Sequence, residues 1–63
     1  MPRLKDFREA KGLTQKELSE KSGVSLRMIQ HYEQGRKPLA RAYAVTVITL
    51  AKVLGCGPED LIK

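Results

Sequence analysis

A very short connection between two marked helix starts limits what this chain can fold into more than any other feature. Thr14-Gln15-Lys16-Glu17 has the T-x-x-E form of a capping box, in which the Thr14 hydroxyl accepts from the Glu17 N–H and the Glu17 carboxylate accepts from the Thr14 N–H. A helix therefore begins at Gln15. Ser22-Gly23 ends it, since glycine suits the left-handed residue that closes a helix, and Val24 alone separates Gly23 from Ser25, which can cap the next helix. That helix runs from Leu26 to about Gln34 and stops at Gly35. Helices of about two turns, joined by a connection of about three or four residues containing glycine, cross steeply. Leu13, just before the cap, and Leu18, at the fourth helical position, form a hydrophobic staple. Leu18, Val24, Ile29 and Tyr32 then converge on one core.

The same punctuation organises the rest. The spacing predicts a first helix over Pro2 to Lys11, with Leu4 and Phe7 on one side, Pro2 at its start and Gly12 at its stop. After the basic segment Arg36-Lys37-Pro38 a longer helix is expected from roughly Arg41 to Leu54. Ala44, Val47, Leu50, Ala51 and Leu54 share one of its faces at 3.6-residue spacing. Gly55 stops it. Gly57-Pro58-Glu59-Asp60 is a further helix start, with proline at the first position and carboxylates beside the positive end, and Leu61 and Ile62 can pack inward behind it. No strand, repeat or linker is legible, so the expectation is a single all-α domain over residues 1–63, a compact bundle of five helices.

Size and charge narrow the function. A chain of 63 residues buries only about 60% of the surface its unfolded form exposes, which leaves one small core and no room for a two-lobed cleft enzyme. Cys56 is the only cysteine and His31 the only histidine, so a disulfide within the chain is ruled out, a conventional structural zinc site lacks ligands, and a reducing, cytoplasmic setting is expected. The start MPRLKDFREAK lacks the apolar run of a secretory signal. The longest apolar stretch, Ala42 to Leu54, is too short to span a bilayer. Twelve Lys and Arg against seven Asp and Glu leave a formal charge of +5, which points to an anionic partner: nucleic acid, a membrane surface or an acidic protein. No acidic pair, no nucleophile beside His31 and no glycine-rich phosphate loop is present, so neither catalysis nor a cofactor is expected.

The third helix carries two kinds of side chain. One flank is apolar, and the other presents Arg27, Gln30, His31 and Gln34, which suit either a solvated face or contact with base edges. Arg, Gln and His bring forked or two-ended hydrogen-bonding groups, whereas faces that are merely solvated favour Glu and Lys.

From LKDFREAKGLTQKELSEKSGVS through YEQGRKP to ITLAKVLGCGPEDLI, nearly the whole chain resembles the Cro and phage-repressor family of helix-turn-helix proteins, also called the xenobiotic-response-element family. GLTQ opening the second helix, Leu18 followed by the small Ser19, the Gly23 turn, Ile29 and Tyr32, and the Glu33 to Gly35 ending carry the likeness in register. It implies a lambda-repressor-like bundle whose second and third helices form the DNA-binding unit. Ser19 is then small because the two helices approach closely, and a valine at Gly23 is expected to unfold or misassemble the unit. The resemblance also pairs Arg8 of the first helix with Glu33, through two parallel hydrogen bonds that lock the first helix across the third. An ordinary surface pair is the alternative.

By the same resemblance, the third helix enters the major groove of double-stranded DNA. Arg27 can donate to guanine, Gln30 can pair with adenine, Leu26 can touch a thymine methyl, and His31 and Gln34 can reach a base or phosphate. Leu26 stands where the family often has a polar residue. Phosphate contacts are expected from Gln15 and Lys16 at the positive end of the second helix, from Ser25, and from Arg36, Lys37 and Arg41; solvent exposure alone is the alternative for the cations. Family members commonly bind as two-fold pairs on palindromic operators, so a homodimer is expected at least on DNA. Its seam would be either Leu61-Ile62 or a stripe of Val45, Thr49 and Val53 on the outer face of the fourth helix, which as scattered surface residues could equally form no seam. The function implied is a transcriptional regulator, with repression the expected sense. The competing expectation is a protein-interaction module, such as an antitoxin-like partner of another protein, with secondary DNA binding. Cys56 between two glycines reads as a small residue at the edge of the core.

Overall fold

A computed structural model of the chain describes residues 3–62, with the backbone alone at Arg3. The elements are α1 (Arg3–Ala10), α2 (Gln15–Ser22), α3 (Leu26–Glu33), a 3-10 turn (Leu39–Arg41), α4 (Ala44–Leu54) and α5 (Pro58–Ile62). The chain is all-α, with five helices and no strand among the described residues. Pro2, read as a helix start, lies outside them.

Both halves of the capping box form: Glu17 N–H donates to Thr14 Oγ1 at 3.0 Å, and Thr14 N–H donates to Glu17 Oε1 at 2.9 Å. Ser25 caps α3 in the same manner, its Oγ accepting from Met28 N–H at 3.2 Å. Gly23 closes α2 at φ 77°. A methyl group added at Gly23 would meet open space, so what the turn demands is the left-handed backbone and not room for a missing side chain. A valine at this position would therefore meet backbone strain and no steric clash at its Cβ.

Every element supplies the core. Leu18, Ile29 and Leu50, from α2, α3 and α4, are fully buried, and Leu4, Leu39, Leu54 and Leu61 join them from α1, the 3-10 turn, α4 and α5. Each such side chain contributes about 1.5–3 kcal/mol relative to exposure. Val24 and Tyr32 pack against this cluster, as does Leu13 of the staple. Around it α2 packs on α3 and α4, α1 on α3 and α5, and α4 on α5.

Three details differ from the sequence reading. The fourth helix begins at Ala44, not near Arg41: Arg41 and Ala42 N–H close a 3-10 turn on the Pro38 and Leu39 carbonyls, and the chain then runs extended through Ala42 and Tyr43. This detour inserts Leu39 into the core, a tertiary demand that local helix propensity does not register. Ala44 is exposed, because the first residue of α4 projects past the end of the core that Val47, Leu50, Ala51 and Leu54 reach. Ile62 is 43% exposed beside a buried Leu61, since neighbouring residues on a helix point about 100° apart and so short a helix turns only one of them inward.

Candidate nucleic-acid interface

Helix α3 is held from behind by charge as well as by apolar packing. Arg8 Nε donates to Glu33 Oε2 at 2.6 Å and Arg8 Nη2 to Glu33 Oε1 at 3.1 Å, the two-bond geometry expected of a guanidinium on a carboxylate. Arg8 Nη1 also donates to the Leu13 carbonyl at 2.7 Å, and Gln15 Nε2 donates to Glu33 Oε1 at 3.0 Å. The side chains are 11% and 3% exposed for Arg8 and Glu33, so this is a buried lock and not a surface pair. Donation to the Glu33 carboxylate holds the pKa of the Arg8 guanidinium above its ordinary value against the opposing effect of burial. One carboxylate on α3 thus ties α1 to the first residue of α2, while Arg8 also holds the loop before α2.

The turn between α2 and α3 is fastened by two serines. Ser19 Oγ donates to the Val24 carbonyl at 2.7 Å, and Ser22 Oγ donates to the Leu18 carbonyl at 2.7 Å while accepting from Val24 N–H at 3.1 Å. Sequence reasoning assigned Ser19 only a small volume and Ser22 only a helix end. For Ser22 the available signal was serine's habit of bonding a carbonyl one turn back or a backbone group two residues on; the Ser19 bond, to a carbonyl five residues on, has no such local signal.

These restraints leave α3 with a buried back and an open front. Ile29 and Glu33 face inward, with Tyr32 and Met28 half-buried at the margins. Arg27 and Gln34 are exposed, Gln30 and His31 are half-buried, and Leu26 is 38% exposed at the helix start. Arg27, Gln30 and Gln34 form one row along the helix. Among the described residues none of the side chains of Arg27, Gln30, His31 and Gln34 is hydrogen-bonded to the protein. At the far end Gly35, at φ 76°, completes a closing motif in which Arg36 N–H donates to the His31 carbonyl at 2.9 Å and Gly35 N–H to the Tyr32 carbonyl at 3.3 Å.

The candidate phosphate ligands fall on two flanks of α3. On one, Gln15 and Lys16 stand at the start of α2, where the first backbone N–H groups have no partner within the helix. On the other, a groove of about 590 Å³ brings Ser25 and Met28 of the α3 start together with Lys37, Arg41 and Tyr43. Arg36 is exposed and does not line that groove. The 3-10 detour is what carries Arg41 there. Thr14 N–H holds the Glu17 carboxyl below the ordinary glutamate range, so it stays ionised at the positive end of α2.

The outer face of α4 departs from the expected stripe. Val45 is 68% exposed, but Thr49 is half-buried with its hydroxyl donating to the Val45 carbonyl, and Val53 packs against the core. The exposed apolar side chains there are Tyr43, Val45 and Ile48, of which Tyr43 and Ile48 were not anticipated. Cys56 packs at the edge of the core, and burial, with Asp60 and Glu59 nearby, pushes its thiol up. Among the described residues no helix is long and apolar enough to cross a membrane, and no cluster of His, Cys, Asp and Glu is placed to hold a metal ion.

Neither a curated protein nor a solved structure matches the chain. A family model described as helix-turn-helix, of the Cro/C1 type, matches residues 4–61, which spans α1 through α5. With two capped helices set about a left-handed glycine, the second of them open on one side, the chain belongs to the Cro/C1-type helix-turn-helix (xenobiotic-response-element) family of DNA-binding regulatory domains.

Proposed function

We propose that the protein is a sequence-specific, double-stranded-DNA-binding transcriptional regulator, acting as a repressor in the cytoplasm, with α3 in the major groove. The observation that carries this is the front of α3: Arg27, Gln30, His31 and Gln34 present free hydrogen-bonding groups while the back of the helix is buried and clamped. A helix of eight residues is about 12 Å long, comparable to the width of the major groove. Arg27 would read guanine and Gln30 adenine, each pair giving ~1–3 kcal/mol of discrimination, with Leu26 against a thymine methyl and His31 and Gln34 at the margin of the site. Gln15, Lys16, Ser25, Arg36, Lys37 and Arg41 would set register on the phosphates.

So few base contacts select too little sequence, so the protein would act as a homodimer on a palindromic operator with half-sites about 34 Å apart. Selection of duplexes from a random pool tests this, and a two-fold repeated motif is the expected product. If about six phosphates are neutralised per pair, affinity should fall ~10³-fold between 50 and 200 mM salt. Arg27→Ala should relax base preference and Lys37→Ala should weaken all sequences alike; the reverse pattern would overturn these roles.

A second reading is favoured by the exposed Tyr43, Val45 and Ile48. In it the domain docks another protein in the manner of an antitoxin, and DNA binding is secondary. Its mark would be a stable heteromeric complex that survives loss of Arg27.

A further inference from the structure

We infer that the groove between the start of α3 and the 3-10 detour is a binding site for a small aromatic anion, a planar ring bearing a carboxylate or a phosphate, whose occupancy keeps a duplex off that flank. The exclusion of DNA rests on the proposed docking of α3 in the major groove; the site itself does not.

Two kinds of surface meet in this groove. Its half-buried members, Val24, Met28, Tyr32 and Ala42, form an apolar floor, and its exposed members, Lys37, Arg41 and Tyr43, form the rim. Among the described residues that line it none is acidic. Gripping a passing phosphate calls for exposed cations alone, since a duplex backbone lays its phosphates on the rim and has no apolar group to seat on the floor. The floor therefore suits another occupant. At about 590 Å³ the groove lies within the ~300–1,000 Å³ of small-ligand sites, which combine an apolar lining with a few charged groups that fix orientation. An inorganic anion would answer the two cations and leave the floor wet, and a neutral ring would cover the floor and leave the cations unanswered. A ring that carries an anion does both.

The backbone under both surfaces is fixed in the free chain. Val24 is held from two sides, its carbonyl accepting from Ser19 Oγ at 2.7 Å and its N–H donating to Ser22 Oγ at 3.1 Å. On the rim, Lys37 N–H donates to the His31 carbonyl at 3.4 Å and Arg41 N–H to the Pro38 carbonyl at 3.0 Å. A ligand has only the exposed side chains of Lys37, Arg41 and Tyr43 left to order, which keeps the entropic cost of binding small. Lys37 and Arg41 are also the cations proposed to meet duplex phosphates on this flank. An anion seated between them takes both from the duplex, so the ligand acts as an inducer.

The test begins without DNA. Phenyl phosphate and benzoate are titrated into the unaltered protein at constant ionic strength, with inorganic phosphate and phenol as controls, and the methyl resonances of Val24, Met28 and Ala42 are followed by NMR. At least one of the two aromatic anions should shift all three saturably, with half-saturation at or below ~1 mM, and each control should require at least about ten-fold more. Which aromatic anion binds more tightly identifies the charged group the site prefers. Equal half-saturation by inorganic phosphate or by phenol would overturn the inference, as would saturable shifts confined to other residues or none at all. Tyr43→Ser removes the exposed ring and leaves a good capping residue at the start of α4, so the fold is retained. It should weaken the better probe by roughly ten-fold, and unchanged half-saturation would overturn the role of the rim. Duplex is then added: the better probe at about ten times its half-saturation should weaken operator binding roughly ten-fold, and inorganic phosphate at the same ionic strength should not. Binding of the probe with no effect on operator affinity would overturn the exclusion. If the unaltered protein binds no duplex, the proposed function fails, and the titration without DNA still decides the site.

Discussion

Removing Arg8 should nearly unfold the protein. Arg8→Met deletes three donors at once: two on the Glu33 carboxylate, at 2.6 and 3.1 Å, and one on the Leu13 carbonyl at 2.7 Å. Glu33, with its side chain 3% exposed, would retain a full charge and a single neutral donor from Gln15. Breaking a buried pair by removing one partner costs ~3–5 kcal/mol, most of it the uncompensated charge that stays behind. At ~0.05–0.15 kcal/mol per residue, a chain of 63 residues has only about 3–9 kcal/mol of stability in total. In a domain of this size each kcal/mol moves the melting midpoint by about 4–8 °C, so a fall of at least ~12 °C is expected, and at the upper end of the range no folded baseline remains. Thermal melting followed by far-UV circular dichroism measures it. Arg8→Met/Glu33→Leu, which removes both charges, should recover most of the loss, because an apolar replacement of a buried pair is often neutral. A midpoint for Arg8→Met within about 4 °C of the unaltered protein would refute this account, since it would make the pair worth no more than the ~0–1 kcal/mol of an exposed one.

Other perturbations test the turn, the cap and the outer face of α4. Ser19→Ala strips the Val24 carbonyl of its donor and should cost ~1 kcal/mol in urea unfolding, near the lower end for an unsatisfied group because the site is only half-buried. Gly23→Ala should cost ~1–2 kcal/mol from the left-handed backbone alone; a much larger loss would mean that the turn lacks the open space described. Glu17 has a folded pKa below its ordinary value, so the stability it lends is present above the unfolded pKa and disappears as pH falls through the folded one. NMR titration of its side chain should show the low midpoint, and Thr14→Ala should leave most of the shift in place because the donating Thr14 N–H is retained; a midpoint in the ordinary glutamate range in the unaltered protein would refute the cause assigned. Val45→Lys should weaken pairing on a palindromic duplex if the outer face of α4 is the seam, and sedimentation with the duplex would decide it.

Much of the helix-turn-helix unit could be read from residues alone because its determinants are local. A cap needs its partner three residues away, a left-handed glycine needs only its own backbone, and a buried stripe repeats every turn. Thr14 with Glu17, Ser25, Gly23 and the inward Leu18 and Ile29 were legible for that reason. The Arg8–Glu33 lock, 25 residues apart, was reached through family resemblance and not through spacing. What depends on distant packing was not legible. The start of α4 moved to Ala44 because the core required Leu39, and Val53 turned inward while Ile48 turned out because the neighbours of a helix, not its own period, decide which margin of its stripe is covered. The convergence of Lys37 and Arg41 with Ser25 is likewise a product of that 3-10 detour. The bond from Gln15 to Glu33 spans 18 residues and exists only because α2 and α3 meet where they do. Local hydrogen bonds and periodicity thus determined which helices form and which faces are apolar, whereas only the closed core could decide which distant polar groups share one carboxylate.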